Sequence, residues 1–148
     1  MIEVSRVVHA SPQEVFAVLA DGWTYPLWVV GATHMREVDP NWPAVGSRLH
    51  HSVGTWPLQI HDITEVRAAE PGQLLELHAR AWPSGAARVR ITLAPSPGGT
   101  LVTMGEQAES GPARLIPRPA QAIMLKLRNT ESLNRLADVA EGNGHGTR

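Results

Sequence analysis

From His34 to Glu109 the sequence alternates apolar and polar side chains, is cut at intervals by Pro and Gly, and then gives way to one long helical stretch. A period of two broken by turn residues reads as a run of short antiparallel strands, and a single helix after them must cover one sheet face. Strands are expected near residues 34–38, 48–53, 56–66, 74–81, 87–94 and 101–108. The breaks fall at Pro40-Asn41-Trp42-Pro43, Gly54, Pro71-Gly72, Pro83-Ser84-Gly85 and from Pro95 to Gly99, each with recognised turn chemistry. Upstream, residues 2–10 alternate and are rich in β-branched side chains, a first strand. Ser11-Pro12-Gln13-Glu14 places a hydroxyl at the N-cap, Pro at N1 and Glu at N3, the capping box of a short helix that Asp21-Gly22 ends. Residues 23–30 form a second short helix or turn, closed by Gly31. The long helix is expected over 119–141 and a disordered tail over 142–148. The whole is an α+β design in one domain spanning residues 1–141.

Composition narrows the function. The 148 residues are enough for one domain with a real core, since a chain of this size buries roughly 70% of its unfolded surface. Thirteen basic against fourteen acidic residues argues against a nucleic-acid protein, which normally carries a basic face. The absence of Cys excludes a disulfide framework, a thiolate metal site and a Cys nucleophile. Residues 1–6 show no signal-peptide pattern, and the longest apolar stretch, 27–30, is far below the ~20 residues of a membrane span. A cytoplasmic protein with no integral membrane segment is expected. Five of the seven aromatic residues are Trp. The strand centres are thus left to aliphatics and Ala, with the Trp side chains expected at the rims of a thinly filled interior.

The order of elements, with Ser11-Pro12 and Val15-Phe16 opening the first helix, resembles the polyketide cyclase/START/pollen-allergen superfamily (SRPBCC), in particular its small bacterial members. Tyr25-Pro26-Leu27-Trp28 followed by Gly31 is similar too, as are Gly46-Ser47-Arg48, Thr64-Glu65-Val66 before Pro71, and Gly99-Thr100-Leu101-Val102-Thr103. The resemblance covers nearly the whole chain. It implies the helix-grip fold, a curved antiparallel sheet wrapped around the long C-terminal helix, with two short helices after the first strand and an internal cavity. It also puts Trp28 near the cavity mouth. It does not fix the chemistry, because such a fold serves cyclases and passive lipid binders alike.

Strand alternation then asks where a polar residue interrupts an apolar face. His51 lies between Leu49 and Val53. Asp62 and Thr64 interrupt Leu58, Ile60 and Val66. Leu75, Leu77, Ala79 and Ala81 run uninterrupted, as do Ala87, Val89, Ile91 and Leu93. Glu106 interrupts Val102, Met104 and Ala108. Short turns would pair Leu49 with Ile60, Asp62 with Ala79, Ala79 with Val89, and Val89 with Glu106. That register puts Asp62 and Glu106 on one row ~14 Å apart. On the helix, Ala122, Leu125, Asn129, Leu133, Leu136 and Ala140 form one stripe whose single polar member is Asn129.

A ligand pocket is therefore expected to be lined by Trp28, His51, Leu58, Ile60, Asp62, Leu77, Val89, Ile91, Met104, Glu106, Leu125 and Asn129. A buried, unpaired carboxylate is costly and holds its proton, so Asp62 and Glu106 are the candidates for general acid/base work, with His51 as helper. No metal or other cofactor is expected: His50 and His51 point to opposite faces, no other His has ligand spacing, and the glycines of 142–146 follow a helix rather than precede one.

A second stripe, Ala120, Ile123, Met124 and Leu127, makes the first half of the helix apolar all round, among Arg114, Arg118, Lys126 and Arg128. The segment 23–31 and the loop 111–119 are its expected cover. A homodimer contact or a membrane-touching mouth are the alternatives. Three functions remain open: a binder of a small hydrophobic molecule (lipid, polyketide or aromatic metabolite), a polyketide cyclase or dehydratase, and a protein-interaction or regulatory module. The lack of a paired nucleophile and base favours binding.

Overall fold

The computed structural model describes residues 1–30, 34–53, 60–81 and 85–145. Strand β1 (Ile2–Val8) leads into helix α1 (Pro12–Ala20), a 3-10 turn (Gly22–Thr24) and the short helix α2 (Tyr25–Trp28). Strands β2 (His34–Val38), β3 (Arg48–Val53), β4 (Ile60–Glu70), β5 (Leu74–Ala81), β6 (Gly85–Ser96) and β7 (Gly99–Ser110) follow. A second 3-10 turn (Pro112–Leu115) precedes helix α3 (Arg118–His145). The strands form one antiparallel sheet in the order β1-β7-β6-β5-β4-β3-β2. The curved open sheet grips α3, so the fold is the helix-grip fold. Helix α3 runs four residues past the end expected from sequence, and residues 146–148 lie outside the described residues.

Local chemistry explains the starts and stops. The Ser11 hydroxyl accepts the Glu14 N–H at 3.1 Å, and the Glu14 carboxylate accepts the Ser11 N–H at 3.1 Å, closing the capping box at the head of α1. After α1, a side chain at Gly22 would meet Leu49 Cδ2 at 2.6 Å and Val38 Cγ1 at 2.8 Å, so glycine lets this turn sit on β2 and β3 without displacing those side chains. The β6–β7 hairpin closes through Pro97-Gly98, with Gly98 at φ +84° supplying the left-handed turn residue.

The β6–β7 register is the expected one, with Leu93 opposite Val102 and Val89 opposite Glu106. Three other hairpins are corrected. Leu49 faces Thr64 rather than Ile60, because β3 and β4 pair only from Val53↔Ile60 inward and six residues separate them instead of a two-residue turn. Val66 faces Leu77, because Glu70↔Leu74 closes a tight three-residue loop and a bulge at Arg67 takes up one residue. Ala79 faces Ala87, since β6 begins earlier than expected, at Gly85. Each correction is by an even number of residues, so the inward faces survive. The shared row does not: Glu106 leads through Val89 and Leu77 to Val66, two inward positions from Asp62.

The core joins Leu49, Val66, Leu75, Leu77, Ile91 and Val102 of the sheet to Val15, Val18 and Leu19 of α1 and to Leu133, Leu136, Ala137 and Ala140 of α3. The only Phe and the only Tyr, Phe16 and Tyr25, are both buried in it. The Trp residues do not all mark the rims. Trp28 is 3% exposed and lies in the core, while Trp42 is half-buried and donates Nε1–H to the Leu19 carbonyl at 3.0 Å. Trp23 is on the surface; Trp56 and Trp82 lie outside the described residues.

Candidate functional site

Between the sheet and α3 lies a cavity of about 330 Å³, bounded by β3–β7, α2 and the middle of α3. That volume is at the lower end of small-molecule sites. Its walls are mostly apolar, with Leu77, Ala79, Ala87, Val89 and Met104 from the sheet and Val29 and Val30 from the end of α2. Two polar groupings break the lining.

The first is aromatic. Tyr25 and Trp28 stand three apart on α2, one turn, and meet edge to face at 5.4 Å. The Tyr25 ring stacks on His51 at 5.8 Å. His51 Nε2 is 3.0 Å from the Thr64 hydroxyl, which also lies 3.5 Å from the Tyr25 hydroxyl. All four side chains are buried. Burial pushes the His51 pKa below its ordinary value, with Arg36 and His50 adding to the effect and Asp62 opposing it, so the imidazole is neutral at pH 7. Burial, aided by Glu106, raises the Tyr25 phenol against the pull of Thr64 and Arg128, so the phenol keeps its proton. Beside the site, His51 Nδ1 and Trp28 Nε1 have no hydrogen-bond partner among the described residues.

The second grouping crosses from sheet to helix. Glu106, 8% exposed, accepts from Asn129 Nδ2 at 3.2 Å and from the Arg128 guanidinium, which forms an ion pair with its other oxygen. One helix turn on, the Ser132 hydroxyl accepts the Val30 N–H at 3.2 Å and holds the end of the α2 segment against α3. A smaller pocket of about 170 Å³, lined among others by Ile116, Gln121, Met124 and Leu125, shares Ala87, Glu106 and Arg128 with the main cavity. The Glu106–Arg128 pair stands between the two.

Of the residues expected from sequence, Trp28, His51, Leu77, Val89, Met104, Glu106 and Asn129 line the cavity. Leu125 lines the smaller pocket, and Ile91 is fully buried in the core behind the wall. Leu58 lies outside the described residues; Ile60 opens β4, and its side chain is likewise outside them. Asp62 is buried but does not line the cavity. It accepts its neighbour's Ile63 N–H at 3.0 Å and sits 3.8 Å from Arg80 Nε, opposite His51 on the sheet. The expected unpaired carboxylate is therefore corrected: Asp62 and Glu106 both have partners. Tyr25, Thr64, Arg80, Arg128 and Ser132 line the cavity without having been singled out for it. Arg128 gave no signal in the sequence, because its position on the helix reads as surface. Among the described residues no three His, Cys, Asp or Glu side chains gather as a metal site, and no helix is long and apolar enough to cross a membrane.

A family model described as polyketide cyclase / dehydrase and lipid transport matches residues 1–141. No curated protein matches the chain. Among solved structures, a protein of Rhodobacter sphaeroides superposes with a TM-score of 0.71 at 22% identity, over 95% of this chain and 91% of that one. The di-domain ARO/CYC StfQ from the steffimycin biosynthetic pathway gives 0.73 at 12% identity, over 97% of this chain and 51% of StfQ. Ara h 8.0201 gives 0.69 at 11% identity, over 95% of this chain and 96% of the other. At these identities the likeness is one of fold.

Proposed function

The chain belongs to the polyketide cyclase / dehydrase and lipid transport family, and from that premise we propose that it binds a small, mostly apolar molecule in the cavity between sheet and α3. The observation that carries this reading is the cavity itself, about 330 Å³ with aliphatic walls and two separated polar groupings. Such a lining rewards an apolar body and orients it by a few hydrogen bonds. The flat Tyr25–His51 stack and the edge-on Trp28 suit a planar ring system, and Asn129 and Arg128 suit an oxygen at the other grouping. The chemistry required of the protein is binding alone.

A second reading, a cyclase or dehydratase acting on a polyketide, is favoured by one feature: a neutral, buried His51 in contact with a hydroxyl and a protonated phenol. An imidazole in that state accepts a proton without first losing one. Holding a flexible chain folded beside it would supply much of the rate. In this reading His51, rather than Asp62 or Glu106, is the base, and Glu106 with Arg128 positions the substrate.

Native mass spectrometry of the purified full chain tests the first reading. A co-purified small molecule, or a mass shift with fatty acids or polycyclic phenols, is the expected result. An empty protein whose melting temperature none of these ligands raises would overturn both readings. His51→Gln then separates them: a binder changes only in affinity, whereas a cyclase loses turnover and keeps binding.

A further inference from the structure

The head of α3 has two different sides. On the outer one Ile123, Met124 and Leu127 are more than half exposed, and neither α2 nor the 3-10 turn after β7 covers them, which corrects the cover expected from sequence. The turn lies instead against β7. Gln121 Nε2 donates to the Ala113 and Ile116 carbonyls, at 3.0 and 2.8 Å, and ties the turn to the first turns of α3. Arg114 of the turn and Arg118 of the helix are thereby set around one outer pocket of about 330 Å³. Its sheet side is formed by Ile2 and Glu106, which face each other across β1 and β7.

The outer pocket adjoins the two already described, and Glu106 lines all three. It shares Ala108, Ile116 and Gln121 with the smaller pocket, which in turn shares Ala87 and Arg128 with the main cavity. The inner two are walled mostly by apolar surface, whereas polar groups dominate the outer one. Its charge is also unbalanced. On the sheet, Arg48 pairs with Glu65, Arg80 with Asp62, and Arg88 and Arg90 with Glu76. Arg114 and Arg118 make no ion pair with a described residue, and the sequence has no acid between Glu109 and Glu131. The carboxylate of the pocket, Glu106, is already held by Arg128 and Asn129. The charges of two guanidinium groups are thus left uncompensated, and each presents a flat fork of donors that matches a carboxylate or a phosphate. A free inorganic anion has no use for apolar chambers next to its site. An anion carried on an apolar body uses both.

We propose that the outer pocket seats the anionic head of the ligand, a carboxylate or a phosphate ester on an apolar body. Arg114 and Arg118 hold the head, and the body runs inward along Ala108 and Ile116 toward Glu106–Arg128 and the main cavity. This assignment rests on the ligand-binding reading and narrows it, from a small apolar molecule of any kind to an amphipathic acid.

Calorimetric titration of the full chain with three matched probes tests this: decanoate, decyl phosphate and decanol, at about pH 8. The better of the two acids is expected to bind at least about tenfold more tightly than the alcohol, and the tighter acid identifies the head group. That advantage should shrink as salt rises from about 0.05 to 0.5 M. Both arginines are exposed, so Arg114→Gln/Arg118→Gln should keep its melting temperature and its decanol affinity, and lose most of the preference for the acid. An alcohol bound as tightly as either acid, or a preference that the double variant keeps, overturns the proposal and leaves the ligand reading standing. Binding of none of the three also overturns it, and the ligand reading then stands or falls with the polycyclic phenols.

Discussion

The first part of α3 is the richer in apolar residues, six of eleven before Asn129 against five of seventeen from there on, and yet it is the more exposed. From Asn129 onward the helix buries Ser132, Leu133, Leu136, Ala137 and Ala140 to 3% exposure or less, against β1 and α1. Before Asn129 it leaves Ile123, Met124 and Leu127 more than half exposed. Hydrophobic periodicity marks both halves, but only a facing element decides which stripe is core. The second half has β1 and α1 against it. The first half spans the open side of the cavity, and its inner stripe meets a pocket instead of a packed wall. Asn129 sits at the change, bonded to Glu106. The same helix thus serves as core at one end and as boundary at the other.

The sharpest way to break this contrast is to truncate one leucine on each side. Leu136→Ala in the buried half removes a side chain with 0% exposure, and should cost about 2–5 kcal/mol by loss of transfer energy plus the cavity left behind. Urea denaturation reads this as a lower midpoint with an unchanged slope. A loss below about 1 kcal/mol would mean that this half of the helix is not core.

The boundary itself comes next in size. Arg128→Met leaves Glu106 buried with Asn129 alone, and should cost about 1–3 kcal/mol, the penalty of an under-satisfied buried acceptor tempered by the half-exposed position of Arg128. Combining it with Glu106→Gln should recover a good part of that loss, because the neutral amide needs no cation. Purely additive losses would show that the two side chains do not act on each other.

How far all this was legible in the sequence follows from what alternation encodes. A period of two fixes the face of a strand but not its sliding, so His51, Glu106, Leu77, Val89 and Met104 could be placed inward while three hairpin registers were off by two or four residues. Only the β6–β7 hairpin, whose turn Pro97-Gly98 is short and unambiguous, could be registered correctly. Asn129 was legible as the single polar residue on an apolar stripe. Arg128 was not, since it lies 100° round the helix and reads as surface, yet its long side chain reaches back to Glu106. Tyr25 was hidden differently: a helix of four residues has no periodicity to read, and only packing against His51 reveals its direction. The exposure of Ile123 and Leu127 was not legible either, because a wheel shows which side chains align and not what faces them.

A smaller effect comes from the cavity wall that the boundary encloses. The His51 pKa is lowered in the folded state, so below about pH 6.5 the unfolded chain takes up a proton that the folded chain refuses. The stability that His51 contributes is therefore complete above that pH and is lost as pH falls through the ordinary histidine value toward the depressed one. Urea midpoints of the wild type should drop between about pH 7.5 and pH 5 by more than those of His51→Gln, which carries no titrating ring. Equal drops in the two proteins would mean that His51 does not titrate differently on unfolding.

The smallest stability effect belongs to the counterpart of Leu136, and it completes the contrast. Leu127 has 70% of its surface in water in the folded protein, so Leu127→Ala removes contacts that are mostly with solvent and creates no cavity. Helix propensity slightly favours the alanine. The expected change is within about 0.5 kcal/mol, at a position nine residues from one where the same truncation costs several times more. If Leu127→Ala instead destabilised the chain by about 2 kcal/mol, the first half of α3 would have to be packed in solution. A destabilisation growing with protein concentration would identify the packing partner as another copy, whereas one independent of concentration would place it within the chain. A null effect on stability here, beside a large loss at Leu136, is the outcome that separates a boundary helix from a core helix.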